Sequence, residues 1–339
     1  KWMDSVSKSF ERKVNRKRSS LSSDLVKKLS VASYNNSVFY KPLSSAYIEF
    51  VDSVIKSHSF DLVQVDFFEL IDVVDILPVE LKKLFIHHEL RFVRNECEFN
   101  LFANPTASDR YMLNYSKVYE LGHLMKYDGV ASLTDVDKCK LESEGIPSSQ
   151  IYVSPAIVDV QTSGISDEYE FNNKIVYLGG SDHFPNYDAV DWFLSNCWSK
   201  IHEDNPFLEF HVIGSWKTKL ARQYESIHPG VKFRGFVDDL RVELANAIMI
   251  VPLRIGSGVR MKILEAISLG CPIISTRLGA EGVGLIANQD VLYGDTPIEL
   301  VEAIEQLSSN NSLCRQIRQS SYSKLLARPT PDDLARVRL

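Results

Sequence analysis

The chain has 339 residues, 45% hydrophobic and 24% charged, with a formal net charge of −6. This is ordinary globular usage, long enough for two domains with adequate cores. The acidic balance disfavours general nucleic-acid binding, no apolar run reaches membrane-spanning length, and no signal peptide is visible. Cys97, Cys139, Cys197, Cys271 and Cys314 are scattered without C-x-x-C spacing, which points to reduced thiols in the cytosol rather than a disulfide frame or a zinc site.

The first residue is Lys1, and the opening segment does not read as a strand. Residues 8–18 (KSFERKVNRKR) are strongly basic. They read as a solvated helix face or as a patch for anionic lipid headgroups, where each cation contributes on the order of 1 kcal/mol. Ser44 to Ser57 reads as a helix, residues 61–65 as a buried strand, and residues 83–88 as another. This β/α alternation, at roughly 20-residue spacing, fits a doubly wound sheet. His87, His88 and Glu89 fall at the carboxyl end of that strand, where ligands bind in open α/β sheets. A histidine there can meet a ligand hydroxyl or a developing charge, or only cap the strand. Further on, Thr134 precedes Asp135-Val-Asp137, formally D-x-D. A threonine N-cap with acidic residues in the first turn is ordinary helix capping, so no metal is expected.

Residues 151–160 read as the strand that closes a first domain, and the polar stretch that follows as a linker. Residues 174–178 open a second domain as a strand ending in Gly179-Gly180, with a helix from about Asp188. Residues 208–214 and 231–235 read as further strands. Asp238 and Asp239 read as caps of the helix that follows.

The richest stretch is 250–284, IVPLRIGSGVRMKILEAISLGCPIISTRLGAEGVG. An apolar strand (248–253) leads into a glycine-bearing turn. Val259 to Leu269 has helical spacing, Gly270 and Pro272 close that helix, and residues 272–275 form a second strand. The unit is a right-handed strand–loop–helix–strand crossover. Gly256 and Gly258 let backbone approach a ligand. The free N–H groups of the helix start favour an anion, most often phosphate, and Arg260 and Lys262 add cations at the same end. Glu265, about one and a half turns in, suits ribose hydroxyls. The bland alternative is a common Gly-Ser-Gly turn before a solvated helical face. Neither the dinucleotide fingerprint nor the P-loop is present.

PLRIGSGVRMKILEAISLGCPIIST resembles the donor-site segment of glycosyltransferase family 4, and more narrowly a bacterial subgroup with a G-x-G-x-R-x-K-x-x-E-A core. The resemblance implies an α/β GT-B fold, two Rossmann-like doubly wound domains facing a cleft. It places an acceptor-side domain over 1–160, a linker over 161–173, a donor domain over 174–325, and a tail over 326–339 that crosses back. A domain of that kind should open with βα units that are not visible before residue 30, so the N-terminal domain is expected to be truncated in this chain.

The resemblance also implies a retaining, metal-independent, cytoplasmic transferase. Its donor is a nucleotide-diphosphate sugar, its acceptor a hydroxyl of a glycan or lipid-linked glycan in cell-surface polysaccharide synthesis, and it needs no cofactor. A site at the inner face of the membrane, reached through segment 8–18, fits that acceptor. Family members often carry two glutamates eight apart: the second matches Glu265, and Ser257 stands in place of the first. The family's Arg and Lys after the first glycine turn are replaced here by His183, Pro185 and Asn186, which leaves the diphosphate to Arg260 and Lys262, with Arg254 as a further cation. His88 matches the histidine that faces the transferred sugar, and His87 is the alternative. Phe236 lies at the turn that holds the base, and Glu281 beside the donor phosphates. A nucleotide-sugar epimerase on the same fold and a catalytically inactive nucleotide-sugar-binding module are the competing readings.

Overall fold

The structure, a computed structural model, describes residues 43–158, 164–329 and Asp333. The basic segment 8–18, part of the expected linker and most of the expected tail lie outside these residues. The chain forms two compact units. One takes the described residues up to Ile86 together with Phe99–Val130; the other takes His87–Glu98 and the chain from Ala131.

Among the described residues the first helix, α1 (Ser45–Ser57), starts where the Ser44 hydroxyl accepts the Tyr47 amide at 3.2 Å, satisfying one of the amides that a helix start leaves open. β1 (Leu62–Asp66) and β2 (Lys82–His87) pair in parallel, from Leu62 opposite Lys82 to Asp66 opposite Ile86. Between them Phe68–Ile76 is a 3-10 helix. α2 (Arg91–Phe99) follows β2. α3 (Ala107–Leu124) then opens on a capping box between Thr106 and Asp109, which satisfies two such amides reciprocally. β3 (Gly129–Ser132), α4 (Asp135–Ser143) and β4 (Ile151–Val153) complete the first sheet, whose order is β1-β2-β3-β4. The strand read over 151–160 is therefore only three residues long in its described part.

The second sheet starts with β5 (Lys174–Leu178). α5 (Phe184–Phe193) begins earlier than the Asp188 expected from the sequence. Pro185, in its first turn, is preset for helical φ and has no N–H to leave unpaired. A π turn at Leu194–Trp198 carries the helix on into α6 (Ser199–Asp204). β6 (Glu209–Ile213), α7 (Thr218–Ile227), β7 (Val231–Gly235), α8 (Leu240–Leu244) and β8 (Ile248–Val251) follow.

α9 (Met261–Ser268) begins two residues later than its hydrophobic spacing suggests. Gly256 and Gly258 sit at positive φ and hold the preceding loop out of the helix. β9 (Ile273–Ser275), β10 (Leu292–Tyr293), α10 (Pro297–Ser308) and α11 (Asn311–Leu326) finish the unit. The strand order is β10-β9-β8-β5-β6-β7, and every pairing is parallel. Residues 248–251 are wholly buried, and Trp198, Tyr177, Phe193 and Phe210 fill the space against the helices. Such continuous apolar strands are what a parallel sheet covered on both faces requires.

Candidate functional site

Open parallel sheets leave a crevice at the carboxyl ends of the strands where the strand order reverses. From β5 the chain runs one way to β6 and β7 and the other way to β8, β9 and β10. The reversal lies between β5 and β8. The two turns that leave these strands are Gly179-Gly180 and the loop 254–260, the two glycine turns singled out in the sequence.

The first turn is tied down on both sides. Trp216 Nε1 donates to Gly179 O at 2.8 Å, and Asn186 Nδ2 donates to Gly180 O at 3.1 Å. Asn186 Oδ1 accepts from Tyr177 OH and from Lys262 Nζ, both at 2.8 Å, and Lys262 Nζ also donates to Tyr177 OH at 3.0 Å. The Lys262 ammonium thus bridges the two turns through neutral oxygens. Burial, with Arg260 beside it, pushes its pKa down to about 7. Arg254 takes a different position from Arg260 and Lys262: its guanidinium grips Asp188 on α5 at 2.6 and 3.2 Å and lies 5.0 Å over the Trp192 ring.

The second turn is seated on the chain just after β2. Gly258 has φ +74°, and a Cβ there would stand 2.3 Å from His88 O, so only glycine fits. Ser257 Oγ donates to Leu90 O at 3.1 Å, and Cys97 Sγ lies 3.9 Å from Gly256 O. Arg260, at the N-cap of α9, is buried and folds back over its own loop. Its Nη1 donates to Gly258 O at 2.8 Å and to Ser257 O, while Nη2 is buried with no hydrogen-bond partner. Burial lowers its pKa against the opposing pull of Glu89, Glu281 and Asp137.

His87 is buried at the end of β2, and His88 is partly exposed in the turn that receives Gly258. Glu281 pairs with Lys140 at 2.8 Å. Two arginines that were not anticipated join this region. His183, at the N-cap of α5, has its pKa held down to about 4, first by burial and then by Arg94, with Lys262 and Arg91 adding to the effect and Glu89 opposing it. The signal was present in the sequence as Arg91 and Arg94, three residues apart and shortly after His87-His88-Glu89.

Glu265 is exposed on α9 and lines a cavity of about 480 Å³ with Ile157, Val158, Asp239, Leu240 and Met261. Phe236, beyond β7, is 86% exposed. Asp239 caps α8, accepting the Arg241 amide at 2.9 Å. In the D-x-D stretch, Thr134 Oγ1 accepts the Asp137 amide at 2.9 Å, which is N-capping geometry.

Residues 172–310 match the family model described as Glycosyl transferases group 1. An uncharacterized 44.6 kDa protein in the cps region of Klebsiella pneumoniae is 24% identical over 196 residues, 55% of this chain and 49% of that protein. Among solved structures, TarM aligns with a TM-score of 0.68 at 11% identity, covering 86% of this chain and 56% of its own. The pneumococcal O-GlcNAc transferase GtfA, solved with UDP and GlcNAc, aligns with a TM-score of 0.63 at 16% identity, covering 87% of this chain and 58% of its own. The chain spans about half the length of the curated relative it matches. The chain has the GT-B fold, and its β5-to-α10 region is the part that the Glycosyl transferases group 1 model describes.

Proposed function

We propose that this chain transfers a sugar from a nucleotide-diphosphate donor to a hydroxyl of a glycan or lipid-linked glycan, with retention of configuration and without a metal. One observation carries this reading. At the crevice between β5 and β8, Arg260 presents a buried donor with no protein partner, and Lys262 presents an ammonium held only by neutral oxygens. Two cations without carboxylate partners, beside the open N–H groups of α9, suit a diphosphate. The group 1 match supports glycosyl transfer. The relative from a cps region supports polysaccharide synthesis, and GtfA with UDP and GlcNAc supports UDP as the first donor base to try.

In this reading the bond from the anomeric carbon to the diphosphate oxygen breaks, and its electron pair stays on that oxygen. Arg260 and Lys262 neutralise the charge that develops there, usually the largest contribution in such sites. The acceptor oxygen bonds to the anomeric carbon from the same face and gives its proton to the departing diphosphate oxygen. Glu265, on the 480 Å³ cavity, holds the ribose. His88, or His87 behind it, faces the transferred sugar, with Gly179, Gly180, Ser257 and Glu281 around the phosphates and Phe236 near the base. An acceptor-side domain over 1–160 and a donor domain over 174–325, joined by 161–173, belong to the same proposal, as does lipid contact through the basic segment 8–18.

The test is incubation with nucleotide sugars and a glycan acceptor in EDTA, following nucleoside diphosphate and glycan. Acceptor-dependent release of nucleoside diphosphate with a lengthened glycan is expected. Recovery of an epimerised donor, or binding without turnover, would assign the site to an epimerase or to an inactive module instead.

A further inference from the structure

Asn186 stands in the first turn of α5, and its one amide group ties three residues together. Nδ2 donates to Gly180 O at 3.1 Å, while Oδ1 accepts from Tyr177 OH and from Lys262 Nζ, both at 2.8 Å. The amide also fills the space over Gly179, where a Cβ would stand 2.7 Å from Asn186 Cγ. Lys262 Nζ closes the triangle, donating to Tyr177 OH at 3.0 Å and lying 4.3 Å from the centre of its ring. An ammonium can only donate, so it fixes the amide with the oxygen toward Lys262 and the N–H toward Gly180.

The neutral amide matters as much as its reach. An aspartate in this place would lose the donor for Gly180 O and set a carboxylate against the ammonium. Such a pair keeps a lysine charged but takes up the charge that an anionic ligand would meet. Lys262 is partly exposed, and among the described residues its hydrogen bonds go to the two neutral oxygens alone. These use two of the three ammonium hydrogens and leave one. The other charged or titratable groups around it are Arg260 ahead of α9, Tyr177 from β5 and His183 at the N-cap of α5. Asp188, on α5, is taken up by Arg254.

We propose that Asn186 is the positioning residue of this site: one amide locks the first glycine turn and the Lys262 ammonium into a single frame and leaves the ammonium's charge for a diphosphate. The inference rests on the nucleotide reading above.

Two measurements on Asn186→Asp and Asn186→Ala test it. The first follows the Lys262 ammonium without ligand, by NMR of isotope-labelled lysine side chains, its resonance being the one missing from Lys262→Arg. In the wild type it titrates near pH 7. It is expected to titrate about one to three pH units higher in Asn186→Asp, where a carboxylate replaces the carbonyl. In Asn186→Ala, which removes an acceptor and adds no charge, it is expected to titrate lower than in the wild type. The second is calorimetry with UDP, GDP and ADP at pH 6. The nucleotide that binds the wild type is expected to bind each variant about tenfold or more weakly. Either variant decides the question if the other does not fold. An unmoved titration would overturn the inference, even with weaker binding, because Asn186 would then act through the fold alone. Nucleotide affinity within about twofold of the wild type would overturn it too. Shifted titrations in a protein that binds none of the three nucleotides would instead count against the nucleotide reading, and the frame would hold the lysine for no diphosphate.

Discussion

Lys262 is a cation held without a carboxylate, and its ammonium titrates near pH 7. A diphosphate beside it favours the charged form and raises that pKa, so binding above pH 7 takes up a proton. Nucleoside diphosphate affinity is therefore full below about pH 7. It falls as pH rises through 7 toward the pKa of the bound state, by at most about tenfold per pH unit. Titration calorimetry from pH 6 to 9 checks this, with Lys262→Arg expected to remove the slope because its charge does not titrate. A slope retained in Lys262→Arg would assign the proton elsewhere. Truncating either cation, as Arg260→Ala or Lys262→Ala, should weaken nucleotide binding by about tenfold or more, roughly 1.4 kcal/mol for a charge-assisted contact. Both residues were legible from residue type and spacing at a helix start.

At the scale of elements, the loop before α9 is fixed by close approach rather than by side chains. Gly258→Ala places a methyl group 2.3 Å from a backbone carbonyl, at φ +74°. The left-handed backbone alone costs about 1–2 kcal/mol, and the clash adds to it. A loss of about 2 kcal/mol or more in chemical denaturation, together with loss of nucleotide binding, is expected. Gly122 gives the opposite sign. It is exposed within α3, and a Cβ there meets nothing within 4 Å. Gly122→Ala should stabilise by about 0.5–1 kcal/mol through helix propensity and leave binding unchanged. The crossover around α9 could be read from glycine and proline punctuation, which acts locally. The early start of α5 was missed because His183 offers no capping hydrogen bond and Pro185 sits where a loop seemed to continue. Arg91 and Arg94 were missed because only the folded chain brings α2 near His183.

At the scale of the molecule, the second sheet was the more legible. Its strands are short apolar runs bounded by glycine and polar turns, and residues 248–251 are wholly buried as such a run requires. The order of those strands, and hence the reversal between β5 and β8 that brings the two glycine turns to one crevice, is a tertiary fact that spacing does not contain. This crevice is proposed to hold the diphosphate of a nucleotide. The most direct measurement is the thermal unfolding midpoint of the wild type and Arg260→Ala with UDP, GDP, ADP, CMP and TDP. A ligand at a hundred times its Kd adds about 2.7 kcal/mol to stability. One nucleotide is predicted to raise the midpoint of the wild type and to leave that of a folded Arg260→Ala protein unmoved. No shift with any nucleotide, or equal shifts in both proteins, would contradict the assignment of the crevice as the diphosphate site.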